Sequence, residues 1–379
     1  MPRSEPTAAK LSWRQVHAFR LQRHHLETRA PKQDLARVIG DIGGAQAQVM
    51  SAAELQAAVR VDCAVEDVRT GLWKDRTLVK TWLMRGTLHL VPSTDLPLFS
   101  AAMNAYGMRN TNAWLKFMQI TEPELIDLTD AIGHALDGQA LTREELVAKV
   151  GKGRPERVQL AMKSGWGGLL KPVARQGLLC FGPSRGQSVT FVNPRRWLGT
   201  WRHVEPDAAL VELARRYLRA YGPATKQDFS RWWGTWPGVG KTAWAGMAEE
   251  LVPVSVDGQP ADLLAADVDE IQYIASEPSV RLLPAFDPYL MGHSNRDHLF
   301  ATEHRSRVRR TAGWISAVVL KEGRVVATWT HRADKRTLTV TVDPFRKLAP
   351  ATIKEIRSQA DSLAEALDLN QAAVNFVQG

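Results

Sequence analysis

The sequence predicts an α+β protein in which helix-turn-helix units, each closed by a small β-hairpin, recur along the chain before a β-rich part. Three observations support this prediction. Capped helix starts and glycine-terminated helix ends recur over residues 1–280. Between Leu178 and Val192, two strand-like segments flank a turn that contains Pro183 and Gly186. From residue 281 onward, alternating β-branched segments surround a long amphipathic helix.

The sequence pattern of residues 1–118 predicts several helices followed by a strand. Ser51 and Glu54 have the spacing of a capping box, so a helix is expected to begin at Ser51. The predicted helices start at Leu11, start at Lys32 or Asp34, span Ser51–Val59, start at Val65 and span Thr77–Met84; the strand is Leu88–Val91, stopped by Pro92.

Residues 119–205 give the clearest helix-turn-helix pattern. A capped helix is predicted to start at Thr142, and a second helix is predicted over Leu169–Arg175, with Gly177 ending it. The hairpin of strands Leu178–Phe181 and Ser188–Val192 follows. This is the order of a winged helix, which contacts DNA through its second helix and wing. A protein-interaction module with the same fold is the open alternative.

Two further segments complete the predicted organisation. In residues 206–280, an amphipathic helix over Leu210–Tyr221 precedes a capped helix over Lys226–Trp233, which predicts a third winged helix. Residues 281–379 form the β-rich part. Its predicted elements are a hairpin over Gly313–Thr330 turning at Glu322–Gly323, a strand over Leu338–Val342, a helix over Ala349–Leu367 and a strand over Ala373–Phe376.

Composition favours an acidic partner. The 379 residues carry a net charge of +9, and the pI is near 9.7. Nucleic acid is the commonest partner of such a chain, and a solvated basic surface is the alternative. The two cysteines, Cys63 and Cys180, build neither a disulfide framework nor a metal site, so the cytoplasm is expected. We expect no metal, no cofactor and no membrane partner.

The most unusual short motif is Gln46-Ala47-Gln48, directly after Gly43-Gly44. In an extended segment, residues two apart point the same way, so both amides can reach one point while Ala47 faces the protein. Each carboxamide has an acceptor oxygen and two donor protons. Such a pair can hold a water molecule and face a developing positive charge. A pair of surface glutamines in a loop is the alternative.

The polar stretch from Pro284 to His298 is the second unusual segment. Loops of this kind often carry function, whereas a structural turn with Asp287 capping backbone amides is the alternative. Four arginines follow: Arg305, Arg307, Arg309 and Arg310. On a strand, three of the four would share a face, which fits phosphate contact, with a solvated edge as the alternative. The stretch Gly238–Thr242 lacks the first glycine of a P-loop, because Thr235 occupies that position.

Three segments together resemble the AlkZ/YcaQ group of bacterial winged-helix DNA glycosylases: Asp41–Met50, Arg85–His89 and Leu283–Asp287. The resemblance runs over nearly the whole chain. It implies three tandem winged-helix domains, here 1–118, 119–205 and 206–280, with a β-rich part over 281–379. It also implies a monofunctional glycosylase that removes alkylated purines, namely N7-alkylguanine or N3-alkyladenine, including bulky adducts and some interstrand crosslinks.

The resemblance assigns residues as well as an activity. The family's catalytic Gln-x-Gln matches Gln46 and Gln48, which places the chain on the Gln/Gln rather than the Gln/Asp side. Its implied DNA contacts, together with basic residues on predicted second helices, are Arg85, Thr87, His89, Lys171, Lys226, Arg231, Asp287, His293, Asn295 and Arg296. Gly292 also matches, whereas His293, Ser294 and Asn295 depart from the family's pattern.

The expected setting is a monomer acting on duplex DNA in the bacterial nucleoid, for general repair or for self-resistance to a DNA-damaging compound. Two other classes of function fit parts of the sequence. A winged-helix transcription regulator would explain the charge and the helix-turn-helix units, although regulators usually dimerise to read half-sites. A non-catalytic scaffold would show no DNA binding even at low salt.

Overall fold

The computed structural model describes residues 9–106, 112–275 and 278–377. They form a mixed α+β protein, as predicted. Within those ranges, no helix combines the length and the apolar character that crossing a lipid bilayer requires.

The chain divides into two compact units. Unit 1 contains Met1–Arg69 and Ala214–Gly379, and unit 2 contains Thr70–Leu213. The two crossings between the units fall inside helices, so neither crossing is a loop.

The first part of unit 1 is mostly helical. Ser12 and Gln15 form a capping box that starts the first helix, which places Val16 and Phe19 in the core. The elements are β1 (Ala9–Leu11), α1 (Trp13–Arg23), β2 (Ala30–Pro31), α2 (Leu35–Asp41), β3 (Ala45–Gln46), α3 (Met50–Ala58), β4 (Val61–Asp62) and α4 (Val65–Trp73), which continues into unit 2.

Unit 2 contains a helical cluster with two small antiparallel sheets. Thr142 and Glu145 form the predicted capping box, and β7, β9 and β8 pair in that order. Its elements are β5 (Leu78–Trp82), β6 (Leu88–Pro92), α5 (Leu96–Asn104), α6 (Asn112–Met118), α7 (Glu122–Ala135), β7 (Leu141–Thr142), α8 (Arg143–Val150), α9 (Glu156–Lys163), α10 (Leu170–Arg175), β8 (Cys180–Arg185), β9 (Ser188–Val192), α11 (Pro194–Trp197) and α12 (Pro206–Tyr221), which ends in unit 1.

The predicted helix over Thr77–Met84 is wrong, because its centre is strand β5, paired antiparallel with β6. Leu78, Val79 and Trp82 are all buried. A short run buried on both faces lacks the alternation that distinguishes a strand from a helix. Its β-branched and aromatic residues fit a pleated surface better than a helix.

The second part of unit 1 contains a five-stranded sheet in the order β12-β13-β14-β15-β16, and β1 pairs parallel with β10. The helix over Lys226–Trp233 has the predicted bounds and a Thr225–Asp228 capping box. The elements are α13 (Lys226–Trp233), α14 (Pro237–Ala245), β10 (Leu251–Val256), β11 (Gln259–Leu264), α15 (Val268–Tyr273), β12 (Val280–Leu283), α16 (Arg305–Val308), β13 (Val318–Lys321), β14 (Arg324–Ala333), β15 (Thr337–Pro344), α17 (Pro350–Ala366) and β16 (Gln371–Phe376).

The main core of unit 1 lies between the five-stranded sheet and helices α3 and α17. Ile356 and Leu363 of α17, as well as Leu55 of α3, belong to it. The expectation that three of the arginines after residue 304 share the face of a strand is wrong, because Arg305–Val308 is one helical turn.

Candidate active site

The Gln46–Gln48 segment follows a turn made by two glycines. Gly43 and Gly44 have φ of +72° and +97°, values at which a side chain is strained. Their amides donate to the carbonyls of Gly40 and Ile39, both at 2.9 Å, and so close the end of α2. The Gly-Gly pair therefore sets the direction in which the chain leaves α2.

The two candidate catalytic glutamines have different surroundings. Gln46 ends β3 and is 6% exposed, whereas Gln48 is exposed. Ala47 between them is fully buried, in agreement with the prediction that it faces the protein. The expectation that both amides reach one point stays a prediction.

Helix α3 begins one residue earlier than predicted, at Met50, and its N-cap Val49 makes no side-chain hydrogen bond. The predicted capping box of Ser51 and Glu54 is therefore wrong. Glu54 is buried, and its carboxylate accepts hydrogen bonds from Arg69 Nε at 2.7 Å and Arg69 Nη2 at 3.2 Å. The Glu54 carboxylate thus pairs with Arg69 of α4 instead of capping α3.

A buried amide holds the glutamine turn against the Pro284–Asp287 segment. Gln56 is fully buried, and its Nε2 donates to the carbonyls of both Gln46 and Ala285, each at 3.2 Å. Two of the three motif segments are thus brought together within unit 1. The backbone at Gln46 is fixed from inside the protein.

A buried ion pair supports this amide. Arg60 and Asp287 are both 0% exposed and form a bidentate pair, with distances of 2.8 Å and 2.7 Å. Arg60 Nη1 also donates to the Gln56 carbonyl at 2.9 Å. Asp287 Oδ1 accepts from the Tyr289 amide at 3.0 Å. Both of its oxygens accept from protein donors, in agreement with the structural-turn alternative. Contact of Asp287 with DNA stays a prediction.

The rest of the polar loop is divided between structural and exposed residues. His293 is buried, and its Nε2 accepts from Arg20 Nη2 at 2.7 Å. Burial and then the Arg20 charge lower its pKa to about 3, so the ring is neutral. Contact of His293 with DNA stays a prediction. Asn295 is exposed and closes a local turn by accepting from the Asp297 amide, while Arg296 is half-buried. Asn295 and Arg296 stay predicted DNA contacts.

Aromatic residues of α12 and α13 hold the glycine turn from its other side. Tyr221 Oη donates to the Ile42 carbonyl at 2.8 Å. The Trp232 ring lies where a Gly43 side chain would be, with Cζ2 2.8 Å from an added Cβ. Trp232 is itself buried and packs against Tyr221 at 5.9 Å between ring centroids. The ring therefore cannot move aside freely.

This contact gives a testable prediction for Gly43→Ala. We expect a loss of about 2–4 kcal/mol of stability, because backbone strain and a clash with Trp232 add. The matched control is Gly258→Ala, which has φ +83° but no atom within 4 Å of the new Cβ. The control should lose only about 1 kcal/mol for the backbone. Urea unfolding measures both, and equal losses would show that the Trp232 contact has no role.

In unit 2, the third motif segment forms the tip of the β5–β6 hairpin. Arg85 and Gly86 have φ of +57° and +65°. The ammonium Nζ of Lys171 lies 3.8 Å from the position of a Gly86 Cβ, so α10 brings a second cation to this tip. Thr87 is half-buried, and its hydroxyl donates to the Met84 carbonyl at 3.1 Å. Arg85, Thr87 and Lys171 stay predicted DNA contacts.

His89 lies beneath this tip. Its ring is buried, Nδ1 donates to the Thr87 carbonyl at 3.0 Å, and Nε2 accepts from Arg85 Nη2 at 3.2 Å. These partners assign the neutral tautomer with its proton on Nδ1. Both ring nitrogens are engaged by protein partners, and contact of His89 with DNA stays a prediction. The ring orients Arg85.

The His89 environment predicts a pH effect on stability. Burial and then the Arg85 charge lower its pKa from 6.5 to about 3. The stability that the neutral ring contributes is complete above pH 6.5, the unfolded value, and is lost as the pH falls toward 3. Going from about pH 7.5 to about pH 5 should cost about 2 kcal/mol through this group. Urea unfolding of wild type and His89→Gln at both pH values tests this. If the free energy of unfolding changed equally with pH in the two proteins, the prediction would be contradicted.

The remaining predicted contacts, Lys226 and Arg231, are exposed on α13. Sequence reasoning missed Gln56, Arg60, Tyr221 and Trp232. Only Gln56 and Arg60 left a signal, as polar residues four apart just after the Gln-x-Gln motif. Among the residues that the structure describes, no group of three His, Cys, Asp or Glu side chains is placed to hold a metal ion.

Comparisons with known proteins find relatives that match nearly the whole chain. A family model for DNA glycosylase AlkZ-like proteins matches residues 39–366. The chain is 39% identical to the interstrand DNA cross-link repair glycosylase of Streptomyces sahachiroi over 383 residues, covering 97% of this chain and 100% of that protein. The solved structure of Streptomyces sahachiroi DNA glycosylase AlkZ is similar, with a TM-score of 0.88 and 37% identity over 97% of this chain and 100% of that one.

These matches confirm the resemblance seen in the sequence and give no support to the regulator alternative. They span nearly the whole chain, so both units are included. The chain belongs to the AlkZ-like family of DNA glycosylases, enzymes that hydrolyse the N-glycosidic bond between base and deoxyribose.

Proposed function

We propose that this DNA glycosylase removes purines that alkylation at N7 or N3 has made cationic, including bulky adducts and a purine joined to the opposite strand. The observation that carries the proposal is the buried Gln56 amide, which fixes the backbone of Gln46 beside that of Ala285. The cross-link repair activity named for the Streptomyces sahachiroi relative supports the wider substrate range.

The proposed chemistry suits uncharged side chains. As the bond from C1′ to the purine nitrogen breaks, its electron pair passes to the base and neutralises the positive charge there. The base leaves without a general acid. Preorganised dipoles stabilise the positive charge that builds on the sugar. In this proposal, the amide oxygens of Gln46 and Gln48 face that charge and accept hydrogen bonds from the water that forms the new bond to C1′. The proton of that water passes to bulk solvent.

The direct test is release of N7-methylguanine from a duplex, followed by alkali to cut at abasic sites. We expect strand cleavage only after alkali, because a monofunctional enzyme leaves the abasic site intact. Borohydride should trap no protein–DNA adduct. Failure to release N7-methylguanine, an aryl adduct and a crosslinked purine alike would refute the proposal.

We also propose that the three winged-helix modules and the β-rich part occupy the predicted ranges 1–118, 119–205, 206–280 and 281–379. In unit 2, the succession α8, α9, α10 and the β8–β9 hairpin supports this organisation. It would place Lys171 on α10, the third helix of that succession, and Lys226 with Arg231 on α13 of the next module. These residues are proposed to contact the phosphate backbone, as are Arg85, Thr87, Asn295 and Arg296.

Salt dependence tests the contacts on α13. Neutralising Lys226 and Arg231 together should reduce the slope of log K against log salt by about 1.8, because each released counterion contributes about 0.9. Lys354→Ala with Arg357→Ala is the matched control, since these residues are also exposed on one helix, α17. The assignment would be contradicted if the salt slope fell equally in the α13 and α17 variants, or if it fell in neither of them.

A further inference from the structure

A cavity of about 540 Å³ opens in unit 1 beside the glutamine turn. Its walls come from α3, from the Pro284–Ala285 segment, from α16 and the segment that leads from it into β13, and from β14 and β15. Cavities of roughly 300–1,000 Å³ hold drug-sized ligands. The proposed removal of a methylated base gives this volume no role.

The cavity shares its wall with the candidate active site. Val49, which lines it, follows Gln48 directly in the chain. Ala285 also lines it, and its carbonyl is held by the same Gln56 amide that holds the Gln46 carbonyl. The cavity therefore adjoins the backbone of the glutamine turn.

Aromatic rings give the cavity its chemical character. Trp314 is 41% exposed, and its ring is fixed by an edge-on contact with Phe286, 4.8 Å between centroids. Trp329 donates its indole N–H to the carbonyls of Leu283 and Val318, so its polar end is satisfied inside the protein. Trp314 offers an apolar, planar surface, which favours an aromatic group. Trp329 is only 3% exposed and lines the cavity from within the core.

One positive charge at the cavity is uncompensated. Arg307 pairs with Asp343 at 2.7 Å, so its charge is balanced. In the part of the chain that the structure describes, no carboxylate lies within ion-pair distance of Arg310, which also lines the cavity. A guanidinium of this kind suits a phosphate.

We propose that this cavity binds the aromatic group that a bulky alkylating agent leaves on the purine, while Arg310 contacts a phosphate of the same strand. This inference rests on the proposed function and adds a second part to its site. The glutamine turn acts on the glycosidic bond of any cationic purine, and the cavity gives bulky aromatic adducts additional binding.

The test compares two duplexes that differ only in the adduct, N7-methylguanine and an N7-guanine carrying a tethered aryl group. Ser306→Trp narrows the cavity, because Ser306 lines it and is exposed on α16. Ser358→Trp is the matched control, an exposed serine on α17 away from the cavity. Ser306→Trp should lower kcat/KM for the aryl adduct by about tenfold or more and leave the methyl adduct unchanged. The control should change neither.

Two results would overturn the inference: an equal loss on both adducts, or no loss on either. If the wild type releases neither adduct, the proposed function itself fails, which is a different result from unselective loss in the variant. Should Ser306→Trp fold poorly, Trp314→Leu gives the same test from the aromatic wall, since Trp314 is partly exposed. It should lower release of the aryl adduct selectively.

Discussion

Replacing Gln46 and Gln48 together with alanine is expected to slow single-turnover base release from N7-methylguanine DNA by about 10²–10³-fold or more. The chemical step loses both amide oxygens that the proposed mechanism places against the sugar and the water. DNA affinity should change little, because neither side chain is charged. The paired measurements are base release and a gel shift on the same duplex.

Two controls separate chemistry from folding. Gln33→Ala removes an exposed glutamine outside the turn and should leave release unchanged. Gln48→Glu keeps an oxygen acceptor at the exposed position and adds negative charge, so it should retain or raise activity. A double alanine variant with full activity and unaltered DNA affinity would disprove the catalytic assignment.

Asp287→Ala is expected to lower the free energy of unfolding by about 3–5 kcal/mol, because it leaves the Arg60 guanidinium buried without its partner. Both groups are 0% exposed, so solvent cannot replace the lost carboxylate. Gln56 should also lose its support, since Arg60 holds its carbonyl. Urea unfolding measures the stability loss.

A double variant makes this result specific. Arg60→Met with Asp287→Leu removes both charges and should recover much of the loss in stability, since apolar residues of similar volume often replace buried pairs at little cost. The salt dependence of DNA binding should match wild type in each folded variant. A stable Asp287→Ala protein with a reduced salt slope would instead support contact of Asp287 with DNA.

Local signals predicted the elements whose cause is local. The helix Lys226–Trp233 was predictable because Thr225 and Asp228 cap it within four residues. The same reasoning failed at Ser51, where Glu54 has a stronger partner in Arg69, 15 residues away. It also failed at β5, where burial on both faces removes the alternation that marks a strand.

In the candidate site, too, features with a local cause were predictable and features that depend on distant partners were not. The Gln-x-Gln motif could be picked out because two similar side chains lie within three residues. Its support could not be, because Arg60 and Asp287 are 227 positions apart and only folding makes them partners. His89 and His293 look like surface recognition residues in the sequence. Their pKa values, lowered mainly by burial to about 3, mark them as internal neutral rings.

The amide character of the Gln46–Gln48 turn also bears on the safety of intact DNA. An undamaged purine is neutral and must gain a proton before it can depart easily, but a carboxamide has no acidic proton to supply. In the proposed mechanism, a turn built from two amides would therefore spare normal bases by its chemistry alone, even when one enters the site. Under this proposal the enzyme would accept damaged bases of many shapes, because the charge on the lesion, rather than a close fit around it, would decide which bond breaks.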